Sequence, residues 1–213
     1  MKTIKIFLAS SEELKPERLA LAELVTKLNY AWAEYDVTIR LVKWEYLDSS
    51  MGAQHKQEDY NDQLRQCEIC IVLYWTRFGM YTEMELETAY SLCNSGGSMS
   101  QMSVFFKDGV EMTDELKAFR KQYEAEHPQL CHSFVDNNEL NDIFCQQIIN
   151  CLQRKNEEEH SVLAKNVKKI QKLLSITEED EPEFKEYQTD LQAAKAALEQ
   201  NESLMGKIIN SIQ

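Results

Sequence analysis

Apolar residues in the first 155 positions of the chain follow two alternating rhythms. Five short runs read as strands: Ile4 to Ala9, Val37 to Trp44, Glu68 to Tyr74, Met102 to Phe106, and Leu130 to Val135. Between them, longer stretches space their apolar residues three and four apart, as one face of a helix does. After Pro16, which suits a first helical turn because its missing N–H has no partner there, Leu21, Leu24, Val25, Leu28 and Trp32 make such a face. Further helices are predicted around Tyr60 to Gln66, from Tyr81 to about Cys93, from Asp114 to Glu126 and from Leu140 to Leu152. Glu45 to Asp59 reads as a long polar loop, and Asn94-Ser95-Gly96-Gly97-Ser98 as a turn.

Strand and helix alternating five times predicts an α/β fold, a parallel sheet with helices on both faces. The third strand is apolar almost throughout, which suits a strand covered on both sides. From about Asn156 the rhythm changes and no strand pattern remains. An amphipathic stretch holds Val162, Val167, Ile170, Leu173 and Leu174, and an acidic break spans Thr177 to Pro182. Beyond it Phe184, Tyr187, Leu191, Ala194, Leu198, Asn201, Met205, Ile208 and Ile212 recur in alternating steps of three and four. This is a heptad seam of about four repeats with Asn201 as its polar member. The expected organisation is an α/β domain over residues 1–155 and a helical tail, in the manner of a coiled coil, over 156–213. The seam either packs on the preceding helix or the domain, or joins a second copy with Asn201 fixing the register. It runs to the last residue without a cap, which suits a piece of a longer protein.

Charge narrows the partners. Thirty-six acidic residues against 23 basic ones give a net charge of −13, so unaided binding to nucleic acid or to an anionic membrane is not expected. The tail is no exception, with 12 acidic side chains against 7 lysines from residue 156 on. No apolar run reaches the length of about 18 residues that a membrane span requires. Six cysteines, mostly inside apolar runs, suit buried thiols in a reducing cytoplasm.

The strongest chemical candidate is Glu85, in the helix start Tyr81-Thr82-Glu83-Met84-Glu85 beyond the third strand. A carboxylate there stands where open parallel sheets bind ligands. Tyr81, four residues earlier, shares its face. The plainer reading is a solvated acidic helix start favoured by the dipole, but the adjoining Trp75, Phe78 and Met80 are costly to expose without purpose. Ser10 and Ser11 after the first strand can bond phosphate or ribose, or cap a helix. Trp44 can stack on a base, or belong to the core. Cys67-Glu68-Ile69-Cys70 enters a strand, which turns its two thiols to opposite faces and argues against a redox pair. The four histidines are scattered, so no metal site is expected, and no Gly-rich phosphate loop occurs.

Phe7-Leu8-Ala9-Ser10-Ser11, Val42-Lys43-Trp44-Glu45, Asp59-Tyr60-Asn61 and the passage from Phe78 to Tyr90 together resemble the bacterial branch of the TIR-like domains. The resemblance covers roughly residues 3–155 and nothing of the tail. It implies a flavodoxin-like five-stranded parallel sheet and an NAD+ nucleosidase whose one catalytic glutamate, Glu85, lies in the helix after the third strand. In the family that glutamate often follows a tryptophan by four residues; Tyr81 stands there instead. Candidate substrate contacts are Phe7, Ser10, Ser11, Trp44, Phe78 and Tyr81. NAD+ would be a substrate, with no cofactor, and activity would depend on self-association through TIR–TIR contacts and the tail, as in bacterial immune or cell-suicide effectors. The alternatives are a non-enzymatic adaptor and an enzyme like the nucleoside deoxyribosyltransferases.

Overall fold

The computed structural model describes residues 2–43, 62–78, 82–95, 99–178 and 182–212. They divide into two compact units, Met1–Gln147 and Ile148–Gln213. In the first, β1 (Lys2–Ser10), β2 (Val37–Lys43), β3 (Ile69–Tyr74), β4 (Gln101–Lys107) and β5 (Cys131–Phe134) form one sheet. All pairs are parallel and the order is β2-β1-β3-β4-β5. The architecture is the expected flavodoxin-like α/β fold.

Helices cover both faces. Phe7, Ala9, Val72, Tyr74, Val104 and Phe106 lie in one buried cluster with Leu86 and Ala89 of α2 (Thr82–Asn94) and Leu116 and Tyr123 of α3 (Asp114–Glu126). The alternate positions Ile6, Leu8, Ile71, Leu73 and Phe105 are equally buried and turn to the opposite face. There α1 (Lys15–Ala31) brings Arg18 to Ser10, and α4 (Asn137–Leu174) brings Gln147 to Ser103. All six residues of β3 are buried, so its continuous apolar run reflects a strand with no solvent face. Each such side chain contributes about 1.5–3 kcal/mol by leaving water.

At the sheet's edge, Asn29 of α1 acts as a substitute strand. Its Nδ2 donates to the Ile39 carbonyl at 2.9 Å, and its Oδ1 accepts from the Ile39 N–H at 2.7 Å. One outward peptide of β2 is therefore satisfied within the chain, which blunts the edge against pairing with another.

Two helix boundaries differ from expectation. The helix predicted to close at Leu152 begins at Asn137 and continues to Leu174. Asp136 Oδ1 accepts from the N–H groups of Asn138 and Glu139 at its start, and no Gly or Pro occurs along its 38 residues to stop it. In the second unit, α5 (Pro182–Asn210) turns back along the C-terminal part of α4: Asn201 Nδ2 donates to Glu159 at 3.1 Å, and His160 meets Glu202 at 2.9 Å. The seam packs on the preceding helix, with Val167, Asn201, Met205 and Ile208 buried. Phe184, Tyr187, Leu191, Ala194 and Leu198 are half-buried. Among the described residues, no helix is long and apolar enough to cross a membrane.

Candidate functional site

The chain runs outward from β1 to β2 on one side and from β3 to β4 on the other. The strand order thus reverses between β1 and β3, and ligands of open parallel sheets bind outside the C-terminal ends of the strands at such a point. Here that place is framed by Ser10, Ser11 and the 3₁₀ turn Glu12–Leu14 after β1, and by Trp75 to Phe78 after β3.

Buried charge organises the frame. Arg18, 1% exposed, donates from Nη1 to Ser10 Oγ at 2.8 Å and to the Ser11 carbonyl at 2.7 Å, closing the end of β1 onto α1. Glu17 beside it binds Lys107 at the end of β4, with 2.5 Å between Oε1 and Nζ. The same Nζ lies 4.1 Å from the centre of the Trp75 ring, a cation–π contact of roughly 0.5–2 kcal/mol. Glu17 Oε2 and Trp75 Nε1 are buried without a partner among the described residues. Polar atoms of this kind are ordinarily met by water or a ligand.

Glu13 ties the two loops together. It accepts from the Thr76 N–H and from Thr76 Oγ1, and Thr76's carbonyl accepts in turn from the Thr113 N–H at 2.8 Å. Burial alone would raise the Glu13 pKa, but hydrogen bonds from Thr76, Ser11 and the Arg77 amide outweigh it and hold the carboxyl below its ordinary value.

The residues expected at the site fall into three groups. Ser10 is buried and Ser11 half-buried at the end of β1, both within this frame. Phe78 sits after β3 but turns into the protein, its ring 5.5 Å from Tyr74 and 5.1 Å from Phe119. Phe7 is a core residue with no exposed surface, in the buried cluster with Val72, Leu86 and Ala89; it lies inside β1, whose two faces are both covered, whereas Ser10 ends the strand at the rim. Glu85 is the fourth residue of α2, the helix that follows β3, and its side chain lies outside the described residues. Trp44 and Tyr81 lie outside them altogether.

Residues 5–149 match the family model of a domain of unknown function, DUF4062. The chain belongs to the DUF4062 family. No curated protein matches the sequence. Among solved structures, the chain is similar to the RPS4 and RRS1 TIR domain heterodimer at 7% identity and a TM-score of 0.43, over 70% of this chain and 98% of that one.

The matched DUF4062 segment contains every residue of the switch-point frame. Sequence reasoning missed Glu13, Glu17, Arg18, Thr76 and Lys107. One signal was available: Leu14, Arg18, Leu21, Val25, Leu28 and Trp32 recur in steps of four and three, so Arg18 falls on the buried face of α1 and must meet oxygen there. For Glu13 and Glu17 no local signal exists, because their partners lie 63 and 90 residues away.

Elsewhere in the DUF4062 domain three thiols are held in the protonated form by burial. Burial pushes Cys67 up to about 12, and Cys131 and Cys145 up to about 11, far from a reactive thiolate. Among the described residues no His, Cys, Asp and Glu group could hold a metal ion. A shallow hollow of about 350 Å³ between Asp108, Met112, Lys117 and Arg120 lies beyond β4. Its Arg120 is already held by Asp108, Glu124 and Ser133.

Proposed function

We propose that the chain is a TIR-type NAD+ nucleosidase, cleaving the bond between nicotinamide and ribose with Glu85 as its catalytic carboxylate. The supporting observation is position: Glu85 sits one turn into the helix that follows β3, one of the two strands at the switch point. The motifs Phe7 to Ser11, Val42 to Glu45, Asp59 to Asn61 and Phe78 to Tyr90 support the same reading, by their order as well as their content.

The reaction suits a lone carboxylate. Nicotinamide leaves from a ring that is already cationic, so no acid is needed to protonate it. Positive charge then develops on the ribose C1′ and ring oxygen, and a fixed anion beside them interacts more strongly with that transition state than with the ground state. Glycosidases place carboxylates beside an oxocarbenium-like centre for the same reason. Ser10 has a matching role at the rim. Its Oγ accepts from Arg18, which leaves its own O–H to donate to a phosphate or ribose oxygen.

Assembly is part of this proposal. A neighbouring copy completes the site, and the half-buried seam on α5 raises the local concentration of copies. The test is nicotinamide release from NAD+ by the assembled protein. Glu85→Gln should lower turnover by about 100-fold or more, as loss of a transition-state electrostatic partner does. Undiminished turnover by that variant removes the assignment, and no release by wild type in any assembly state leaves a non-enzymatic assembly module.

A further inference from the structure

The two loops at the switch point are joined through one carboxylate, and the chemistry of that joint is unusually one-sided. Glu13 Oε1 accepts from the Thr76 N–H and from Ser11 Oγ, each at 3.1 Å, and Oε2 accepts from Thr76 Oγ1 at 2.5 Å. The Arg77 amide adds a further donor. All these partners donate. An ionised carboxylate is acceptor-only and satisfies all of them; an alanine here would leave every one of these donors without its acceptor.

The other holds on this loop come from elsewhere. Lys107 reaches Trp75 from β4, and the Thr113 N–H reaches the Thr76 carbonyl from the cap of α3. Both fix the loop after β3 to the β4 side of the sheet. Glu13 fixes it to the β1 side, across the point where the strand order reverses. Its carboxylate therefore sets the separation of the two loops that a ligand there must touch. Glu13 is itself half-buried, at the rim and outside the apolar core, so its removal leaves the sheet and its two clusters intact.

We propose that Glu13 is a positioning residue of the switch-point site: as a carboxylate it locks the loop after β3 to the loop after β1, the two loops that frame the site. For its effect on catalysis this inference rests on the nucleosidase reading; the lock itself does not. Glu13 touches no reacting atom. Its influence passes through Thr76, and a misplacement of about 1 Å at a site of this kind costs up to about 100-fold in rate.

The experiment measures two things on the full chain: hydrogen exchange at the Thr76 and Arg77 amides, and nicotinamide release from NAD+. Glu13→Ala should speed exchange at both amides by about ten-fold or more, the loss expected when hydrogen bonds to a charged acceptor are removed. Exchange at Ile71, inside β3, should stay as in wild type. Turnover should show kcat lowered by about ten-fold with KM changed less than about two-fold, the signature of lost transition-state placement. Thr76→Ser, which keeps the hydroxyl, should match wild type, and Thr76→Val, which loses the hydroxyl bond and keeps the N–H bond, should shift both readouts in the direction of Glu13→Ala by a smaller amount. Should Glu13→Ala fail to fold, Thr76→Val carries the same test. Unchanged exchange at Thr76 and Arg77 overturns the proposal, and so does faster exchange with unchanged kcat. If wild type releases no nicotinamide, the nucleosidase reading fails and the lock is judged on exchange alone: a rise confined to these two amides supports it, and no rise overturns it.

Discussion

His132 shows how one buried amide dictates the state of its neighbour. Gln147 Oε1 accepts from Gln101 Nε2 and from Ser103 Oγ at 3.0 Å, so the amide NH₂ of Gln147 is the group that faces His132 Nε2, 3.4 Å away. That ring nitrogen must then be an acceptor, which requires a neutral imidazole protonated on Nδ1. Burial works in the same direction, lowering the His132 pKa below its ordinary 6.5. A lowered folded value means that protons bind the unfolded chain more readily. The contribution is therefore complete above 6.5 and is lost as the pH falls through the lowered folded value. Wild type should lose thermal stability as the pH drops below 6.5, and His132→Gln, which does not titrate there, should lose less over the same range. Parallel stability curves for the two proteins would show that His132 is not paired as described. The residue scale is also where the sequence said least about the site. Ser10 and Ser11 could be named because a strand end and a following helix bracket them, but nothing near Glu13 announced Thr76, because proximity made by sheet pairing leaves no local trace. Phe7 shows the opposite case, a motif residue whose burial follows from its place inside an apolar strand covered on both faces.

Elements were far more legible, since periodicity is a local property and burial enforces it. The five strands lie where the apolar runs placed them, and α3 spans the predicted Asp114–Glu126. The failure at Leu152 has a physical cause. The drop in apolar content around Gln153 to Glu158 marks a change from a helix covered by the sheet to one covered by a single partner, and such a change does not interrupt the backbone. Only a breaker would, and none is present. In α5 the seam's polar member carries a testable consequence. Asn201 is 7% exposed; its Nδ2 reaches Glu159, while its Oδ1 is buried with no partner among the described residues. An orphaned buried acceptor costs about 1–3 kcal/mol, so Asn201→Leu should stabilise the helical pair by about 1 kcal/mol after the lost bond to Glu159 is allowed for. Urea unfolding checks this. A lower midpoint together with a smaller particle would mean that Oδ1 is satisfied by a second copy, and that Asn201 sits between copies.

For the whole molecule the governing quantity is the net charge of −13, which opposes both steps the proposed activity needs. Copies of one acidic chain repel each other as they assemble, and a dinucleotide with two phosphates is repelled as it approaches. The described cations at the switch point do not reverse this: Lys107 is paired with Glu17, Arg18 is buried against Ser10 and Ser11, and the exposed Arg77 adds one positive charge against a net −13. Recognition of the phosphates then falls to hydroxyls and backbone N–H groups, whose strength salt hardly alters, with Arg77 as the exposed charge beside them. Long-range repulsion, by contrast, is largely screened at about 0.15 M salt, where the Debye length is about 8 Å. Specific activity at fixed protein concentration should therefore rise as salt is added from low ionic strength, and at fixed salt it should rise with protein concentration. A basic groove steering the substrate would do the reverse, because salt weakens attraction of that kind. Initial rates of nicotinamide release across a grid of salt and protein concentrations separate the two. A rate that falls with salt and is proportional to enzyme at every concentration would contradict both the net repulsion of the substrate and the need for a neighbouring copy.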